Sequence, residues 1–431
     1  MDSISHFFQP SIVKISAVFL ALLIMNRTFP LYICLLAVCV LLGLWMHMGW
    51  VCILTVMLRG SLAPSTLILA LVITLIVVFS GLLKRSGRLV RIVDSMKGLS
   101  SRAGVSLALA PALIGLLPMP GGAVFSAPMV ETVLGNSSIK PESKLAINYW
   151  FRHVPEFVWP LYPGFILCLS IFSLEAWRLT MIQIPMSVGA ILAGLIFVLP
   201  EVSWNINASR RISKRSVLNF FRETSPILTV IVLMFALQGL AEIYRLLSGH
   251  NIPLSQHLSM TLALLMGIAS VKISGNIPSR VVRSSIVESG VLSTILLVFA
   301  IMAFKGILEE SQTITQIRSE LQSINVSETY VIALLPLIAG LVTGIAVGFV
   351  GSSFPVVVSL IPPDQNMLPY VVLAYGAGFL GMMMSPVHLC FLVTQEYFHT
   401  NALDSYRQFW KPALFLMIWI VIFFMFYRVV L

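Results

Sequence analysis

Apolar residues along this chain come in long runs, separated by short polar or charged stretches. The runs are Ile12–Met25, Phe29 to about Leu58, Leu67–Leu83, Leu145–Ser173 and Thr180–Leu199 in the first half. In the second half they are Pro226–Leu247, His257–Ile273, Leu292–Leu308, Pro369–Phe398 and Pro412–Leu431. A helix needs about 20 mostly apolar residues to cross a bilayer. The pattern therefore predicts an all-α polytopic membrane protein with about ten crossings.

Two further apolar stretches are broken. Val105–Leu134 contains Pro111, Gly115, Pro118, Pro120, Gly121, Gly122 and Pro128. Thr329–Ile361 contains Pro336, Gly340, Gly344, Gly348, Gly351 and Pro355. Irregular backbone at membrane depth survives only where it is buried in protein or lines a wet cavity. Each stretch is expected to be a re-entrant hairpin, with tips near Pro118–Gly122 and near Thr343–Gly351.

The halves resemble one another. At an offset of 225 residues Leu67 meets Leu292, Phe79 meets Phe304, Gly81 meets Gly306, Pro111 meets Pro336 and Gly115 meets Gly340. At 227 Pro128 meets Pro355, and at 226 Tyr149 meets Tyr375 and Pro160 meets Pro386. Matched prolines and glycines each fix backbone geometry, so they weigh more than matched leucines. The loop before the first hairpin carries Lys84, Arg85, Arg88, Arg91, Lys97 and Arg102. Its counterpart carries Glu309, Glu310, Glu320 and Glu328. By the positive-inside rule the first loop is cytoplasmic and the second external. That predicts an inverted-topology repeat, each copy with five spans and one hairpin. The copies are residues 1–199 and 226–431, joined by a basic cytoplasmic linker at 200–225 that holds Arg210, Arg211, Lys214, Arg215 and Arg222. Both termini are expected outside, in a protein integral to the cytoplasmic membrane.

Composition sharpens this. Of 431 residues, 58% are hydrophobic and 10% are Asp, Glu, Lys or Arg. Soluble domains carry about 25% charged residues, which excludes a soluble enzyme or regulatory module. The formal net charge of +10 fits Lys and Arg gathered in cytoplasmic loops, with no nucleic-acid motif beside it. The five cysteines, Cys34, Cys39, Cys52, Cys168 and Cys390, sit in apolar runs without CxxC spacing. They are expected to be buried small hydrophobes, with no metal site and no disulfide framework. The N-terminal run lacks a basic n-region and a small-residue cleavage site, so it is expected to be a retained span.

Leu116–Leu117–Pro118–Met119–Pro120–Gly121–Gly122–Ala123 is a distinctive run, as is Ser385–Pro386–Val387–His388–Leu389–Cys390 leading to Thr394–Gln395–Glu396–Tyr397–Phe398. Over nearly its whole length the chain resembles the integral membrane family called domain of unknown function four hundred and one. That family is grouped with the ion transporter superfamily of citrate, gluconate, dicarboxylate and arsenite carriers. The resemblance implies an elevator-type carrier, dimeric as a rule. It implies scaffold segments 1–104 and 226–328 and transport segments 105–199 and 329–431. The tips depart from the Ser-Asn-Thr type of the dicarboxylate and citrate carriers. The first is Pro-Met-Pro-Gly-Gly, and the second contains Gly351–Ser352–Ser353.

Half-helix N-termini at midplane hold anions through free N–H groups. Pro118, Pro120, Gly121, Gly122, Gly344 and Gly351 would shape the tips, while Ser126, Thr343, Ser352, Ser353 and Ser385 would add hydroxyls. Intramembrane charge is costly and marks function or a structural pair. Arg152 is a candidate for the anion, and His153, Glu156 and His388 are candidates for ion coupling. For His388 a hydrogen-bonded core position competes with that role. Lys305 is expected to snorkel, and Glu242 with Arg245 to form a structural pair. No Walker motif, catalytic triad or zinc-protease signature occurs. The expected function is secondary transport of a small anion, most simply an organic carboxylate, coupled to H+ or Na+. The alternative is a passive anion channel on the same fold. An intramembrane enzyme is disfavoured, because no span carries a catalytic pair. No cofactor beyond a coupling Na+ is expected, and the partners are the anion, the bilayer and a second copy of the chain.

Overall fold

The computed structural model describes residues 11–96, 103–119, 121–134, 139–200, 214–250, 254–286 and 289–431. All regular structure among them is helical. The first half holds α1 (Ser11–Met25), α2 (Leu31–Trp45), α3 (Trp50–Leu62), α4 (Pro64–Arg85), α5 (Arg88–Met96), α6 (Ala103–Gly115), α7 (Ala123–Leu134), α8 (Pro141–His153), α9 (Pro163–Phe172) and α10 (Ala176–Ala193). The second holds α11 (Lys214–Ser248), α12 (Gln256–Ser274), α13 (Ser279–Ile286), α14 (Ser289–Glu310), α15 (Thr313–Ser323), α16 (Glu328–Thr343), α17 (Ala346–Leu360), α18 (Met367–Met383), α19 (Leu389–Phe398), α20 (Ala402–Arg407) and α21 (Trp410–Val430).

Among the described residues six helices are long and apolar enough to cross a membrane: α4, α10 with its π-helical extension to Val198, α11, α12, α14 and α21. Only 17% of the apolar window is buried in α11 and in α21. Such outward-facing apolar surface is stable when lipid, not water, surrounds it, and the chain is a membrane protein. Several expected spans are shorter than their apolar runs. Phe29–Leu58 divides into α2 and α3 at a turn where His47 has φ 59°. Leu145–Ser173 and Pro369–Phe398 are both interrupted, by residues 154–162 and 384–388.

Element boundaries carry the repeat further than residue identities do. α4 (Pro64–Arg85) recurs as α14 (Ser289–Glu310), 225 residues on, and the starts of α2 and α6 recur at the same offset in α12 and α16. α9 (Pro163–Phe172) recurs 226 residues on as α19 (Leu389–Phe398). At the same offset the start of α20 (Ala402) falls on the start of α10 (Ala176).

Small residues let helices approach where packing is closest. A methyl group on Gly381 of α18 would run into the Leu337 carbonyl of α16, and one on Gly340 into the Gly378 carbonyl. The equivalent contact in the first half sets Gly115 of α6 on the Arg152 carbonyl of α8. Each hairpin is thereby fixed to the helix that follows it.

Three of the basic loops meet at one end of the molecule. Arg88 donates to the carbonyls of Arg222 (3.2 Å) and Glu223 (3.0 Å) and to Ser274 Oγ (2.6 Å). Arg91 pairs with Glu223 at 3.0 Å, and Arg85 donates to Ser284 Oγ at 2.9 Å. The end of α4, the start of α11 and the α12–α13 turn therefore lie on the same side, as their common basic character implies.

Candidate functional site

Two interrupted helices meet at their buried breaks. In the first half α8 stops at His153, because Pro155 has no N–H to continue it. A 3-10 turn (Val154–Phe157) follows, and α9 restarts at Pro163. In the second half α18 ends at Met383, Pro386 interrupts, and α19 restarts at Leu389. Two matched tyrosines hold the crossing. Tyr149 Oη on α8 donates to the Met383 carbonyl in the second break (3.0 Å), and Tyr375 Oη on α18 donates to the Glu156 carbonyl in the first (3.0 Å). Each satisfies a backbone acceptor that the broken helix leaves open.

Around this crossing the fold gathers Arg152, His153, Glu156, His388 and Cys390, all buried. Arg152 is 2% exposed. Its Nη2 donates to the Met119 carbonyl in the first hairpin turn at 3.0 Å, while its Nε has no partner. Among the described residues no carboxylate lies within ion-pair distance of Arg152. Glu156 approaches His153 instead, with Oε1 3.8 Å from Nε2. His153 Nδ1 donates to the Tyr149 carbonyl (2.6 Å). His388 Nδ1 lies 3.1 Å from the Met382 carbonyl and 3.0 Å from Tyr149 Oη. The two imidazoles stack edge to face, with centroids 4.7 Å apart.

Both hairpin turns reach the crossing. Gly121 (φ 66°) packs beside Leu389 at the start of α19, and Gly122 is so close to the Arg152 guanidinium that a side chain there would displace it. Gly344 (φ 63°) ends α16 in the left-handed conformation and packs on the backbone of His388 and on Ser385 Oγ. Pro118 lies in the first turn. Pro120 falls outside the described residues.

The second tip is tighter than expected from sequence. It turns at Gly344–Ile345, so Gly351, Ser352 and Ser353 lie inside α17, not at a tip. Gly351 faces Ile301 of α14 and Leu167 of α9. Ser352 and Ser353 donate their single protons to the Gly348 and Phe349 carbonyls (2.7 and 2.6 Å). Thr343 donates to the Ala339 carbonyl (2.7 Å) and Ser126 to the Ala123 carbonyl (3.3 Å). A hydroxyl has one proton, so these four do not present a donor to a ligand. Ser385 Oγ accepts from the Val387 N–H at 3.3 Å.

Of the cysteines, Cys34, Cys39, Cys168 and Cys390 are buried as expected and Cys52 is exposed; Cys390 packs in the core and also lies beside His153 and His388. Asn148 was missed. It is fully buried, donates to the Ala123 carbonyl and Thr394 Oγ1 (both 3.2 Å), and leaves Oδ1 unpartnered. The Tyr149–Tyr375 match was the one sequence signal at these positions. Elsewhere Glu242 and Arg245 pair as expected. Lys305 reaches the Ile171 carbonyl (3.4 Å) and Glu309 (3.9 Å). Glu131 accepts from Tyr397 Oη (2.9 Å), away from the cluster.

The model of a family described as "Protein of unknown function (DUF401)" matches residues 11–430. The chain belongs to the DUF401 family. No curated protein matches it. Among solved structures, the Alcanivorax borkumensis YdaH transporter, whose crystal structure is described as having an unusual topology, is similar to this DUF401 protein at a TM-score of 0.61. The similarity covers 86% of this chain and 87% of that one at 16% identity, so what the two share is the fold.

Proposed function

We propose that this protein is a secondary transporter of a small anion, an organic carboxylate in the first place, coupled to H+ or Na+. One observation carries the reading: Arg152 is a buried guanidinium with no carboxylate partner, a free Nε and a glycine turn against it. An unpaired charge at such depth is costly unless function uses it. A carboxylate fits the two-pronged donor face of guanidinium. The fold shared with a transporter supports the class of activity.

Gly121 and Gly122 form the first wall of the proposed site, and Gly344 with Ser385 the second. Arg152 is closed off, so the anion would reach it when the first hairpin moves away from α8. We read the two halves as an inverted repeat with re-entrant hairpins in an elevator-type homodimer of the ion transporter superfamily. Segments 105–199 and 329–431 would move against 1–104 and 226–328. Basic loops would face the cytoplasm, with both termini outside.

The test is uptake by the purified chain in proteoliposomes, screened over carboxylates and inorganic oxyanions. Accumulation above the bath concentration under an imposed H+ or Na+ gradient is expected. Movement that only equilibrates the anion would make the protein a channel, and no movement of any anion would remove the proposal. Replacing Na+ by K+ at fixed pH distinguishes the two couplings.

A further inference from the structure

We propose that His153, His388 and Cys390 form a Zn2+ site that ties the break after α8 to the start of α19. The three residues are buried, and each can place a ligand atom so that all three atoms lie within 4.8 Å of one another. Two imidazoles and a thiolate are a zinc-type ligand set, with the fourth position open to water or to Glu156, whose Oε1 lies 3.8 Å from His153 Nε2.

Four details of the site support this. A backbone carbonyl only accepts hydrogen bonds, so the Tyr149 carbonyl fixes the proton of His153 on Nδ1. The Met382 carbonyl does the same for His388, whose ring also rests on Tyr149 Oη, itself committed to Met383. Nε2 is then the lone-pair nitrogen in both rings. Metal-bound histidines are held in this way, with the other ring nitrogen donating to a carbonyl.

Second, His153 Nε2 is fully buried with no nitrogen or oxygen hydrogen-bond partner, and Cys390 is the side chain that approaches it. The distance of 3.8 Å from Nε2 to Glu156 Oε1 is too long for a hydrogen bond. Ring stacking of His153 on His388 accounts for the ring planes but not for a nitrogen set between the Cys390 sulfur and the Glu156 carboxylate. Third, bond lengths of about 2.0–2.3 Å put tetrahedral zinc ligands roughly 3.3–3.8 Å apart. The three ligand atoms, within 4.8 Å of one another, would close by about 1 Å. Fourth, the Gly121 N–H faces the Cys390 sulfur, where it would support the thiolate that zinc leaves after displacing the thiol proton.

The ligands come from both halves of the chain, so the ion would lock the two broken helices together. The proposal does not depend on what the protein transports, because zinc binding is measured without substrate.

The test uses the full chain in detergent with exposed Cys52 replaced by serine, stripped with a chelator and titrated with Zn2+ against a chromophoric competitor. One Zn2+ per chain is expected, with a rise in the thermal midpoint that grows with zinc concentration. Cys390→Ser and His388→Gln should each weaken binding tenfold or more. Co2+ in place of Zn2+ should give a tetrahedral visible spectrum with a thiolate charge-transfer band. Absence of that band in the Cys52→Ser chain overturns the proposal without recourse to any ligand variant. Zinc binding that survives both ligand substitutions also overturns it.

Discussion

Arg152 sets the energetics of the crossing. A buried guanidinium that merely held the fold together would be expected to face a carboxylate, and this one faces a glycine turn and a backbone carbonyl. Replacing a buried, unpaired charge with an apolar side chain of similar length is commonly neutral or stabilising. Arg152→Met is therefore expected to keep or raise the thermal midpoint in detergent while uptake falls by about 30-fold or more, the loss of roughly 2–5 kcal/mol from a desolvated charged contact. A steep fall in midpoint would instead make Arg152 a structural residue. The two crossing tyrosines make the opposite prediction. Tyr149→Phe and Tyr375→Phe each remove one buried hydrogen bond to a carbonyl, which costs about 1–3 kcal/mol. Each midpoint should drop by several degrees in differential scanning fluorimetry. An unchanged midpoint in both would show that water takes over the freed carbonyls.

Among elements, the hairpins are held by backbone contact rather than by side-chain interdigitation. Without a hydrophobic force between helices in lipid, close approach at small residues supplies the packing energy. Gly381→Ala puts a methyl into the Leu337 carbonyl, and Gly340→Ala puts one into the Gly378 carbonyl. Overpacking of this kind costs about 1–3 kcal/mol. Both variants should unfold at lower temperature than the parent, and normal melting of both would place the α16–α18 contact elsewhere. Gly121 differs, since a methyl there would meet only ordinary contact with Leu389 but its backbone is left-handed. Gly121→Val should lose uptake through a distorted tip, with a destabilisation of only about 1–3 kcal/mol. Uptake at the parent rate would separate the first tip from the transport path.

For the whole molecule, the arginine contacts among the basic loops give a topology that can be checked. The turn after Arg85, the start of α11 near Glu223 and the α12–α13 turn share one end. Single cysteines placed at Ser86 and Ser284 in a chain lacking exposed Cys52 should be labelled by an impermeant maleimide from the same side of the membrane. The inverted arrangement predicts that a cysteine at Asn325, in the acidic loop, is labelled from the other side. Labelling of all three from one side would rule that arrangement out.

Much of the architecture was legible along the chain. Apolar run length reports the solvent around a helix, and prolines and glycines report where its backbone must break, because both are properties of a residue and its immediate neighbours. The offset of 225 held for helix boundaries as well as for residues such as Gly115 and Gly340. Arg152, His153, Glu156 and His388 stood out singly as intramembrane polar groups, but their meeting with one another and with Cys390 was not legible, and the repeat itself hid it. The contact that sets Gly115 on Arg152 is matched by Gly340 on Gly378, so the structural position repeats while its charge does not. His388 and Cys390 lie more than 200 residues from His153, at positions whose first-half equivalents are Tyr162 and Gly164. Local pattern thus determined that the chain is a bundle of membrane helices with two paired interruptions. Only tertiary folding decided which groups meet there, since a thiol, two imidazoles, a carboxylate and a guanidinium become neighbours through chain crossing, and sequence spacing carries no record of that.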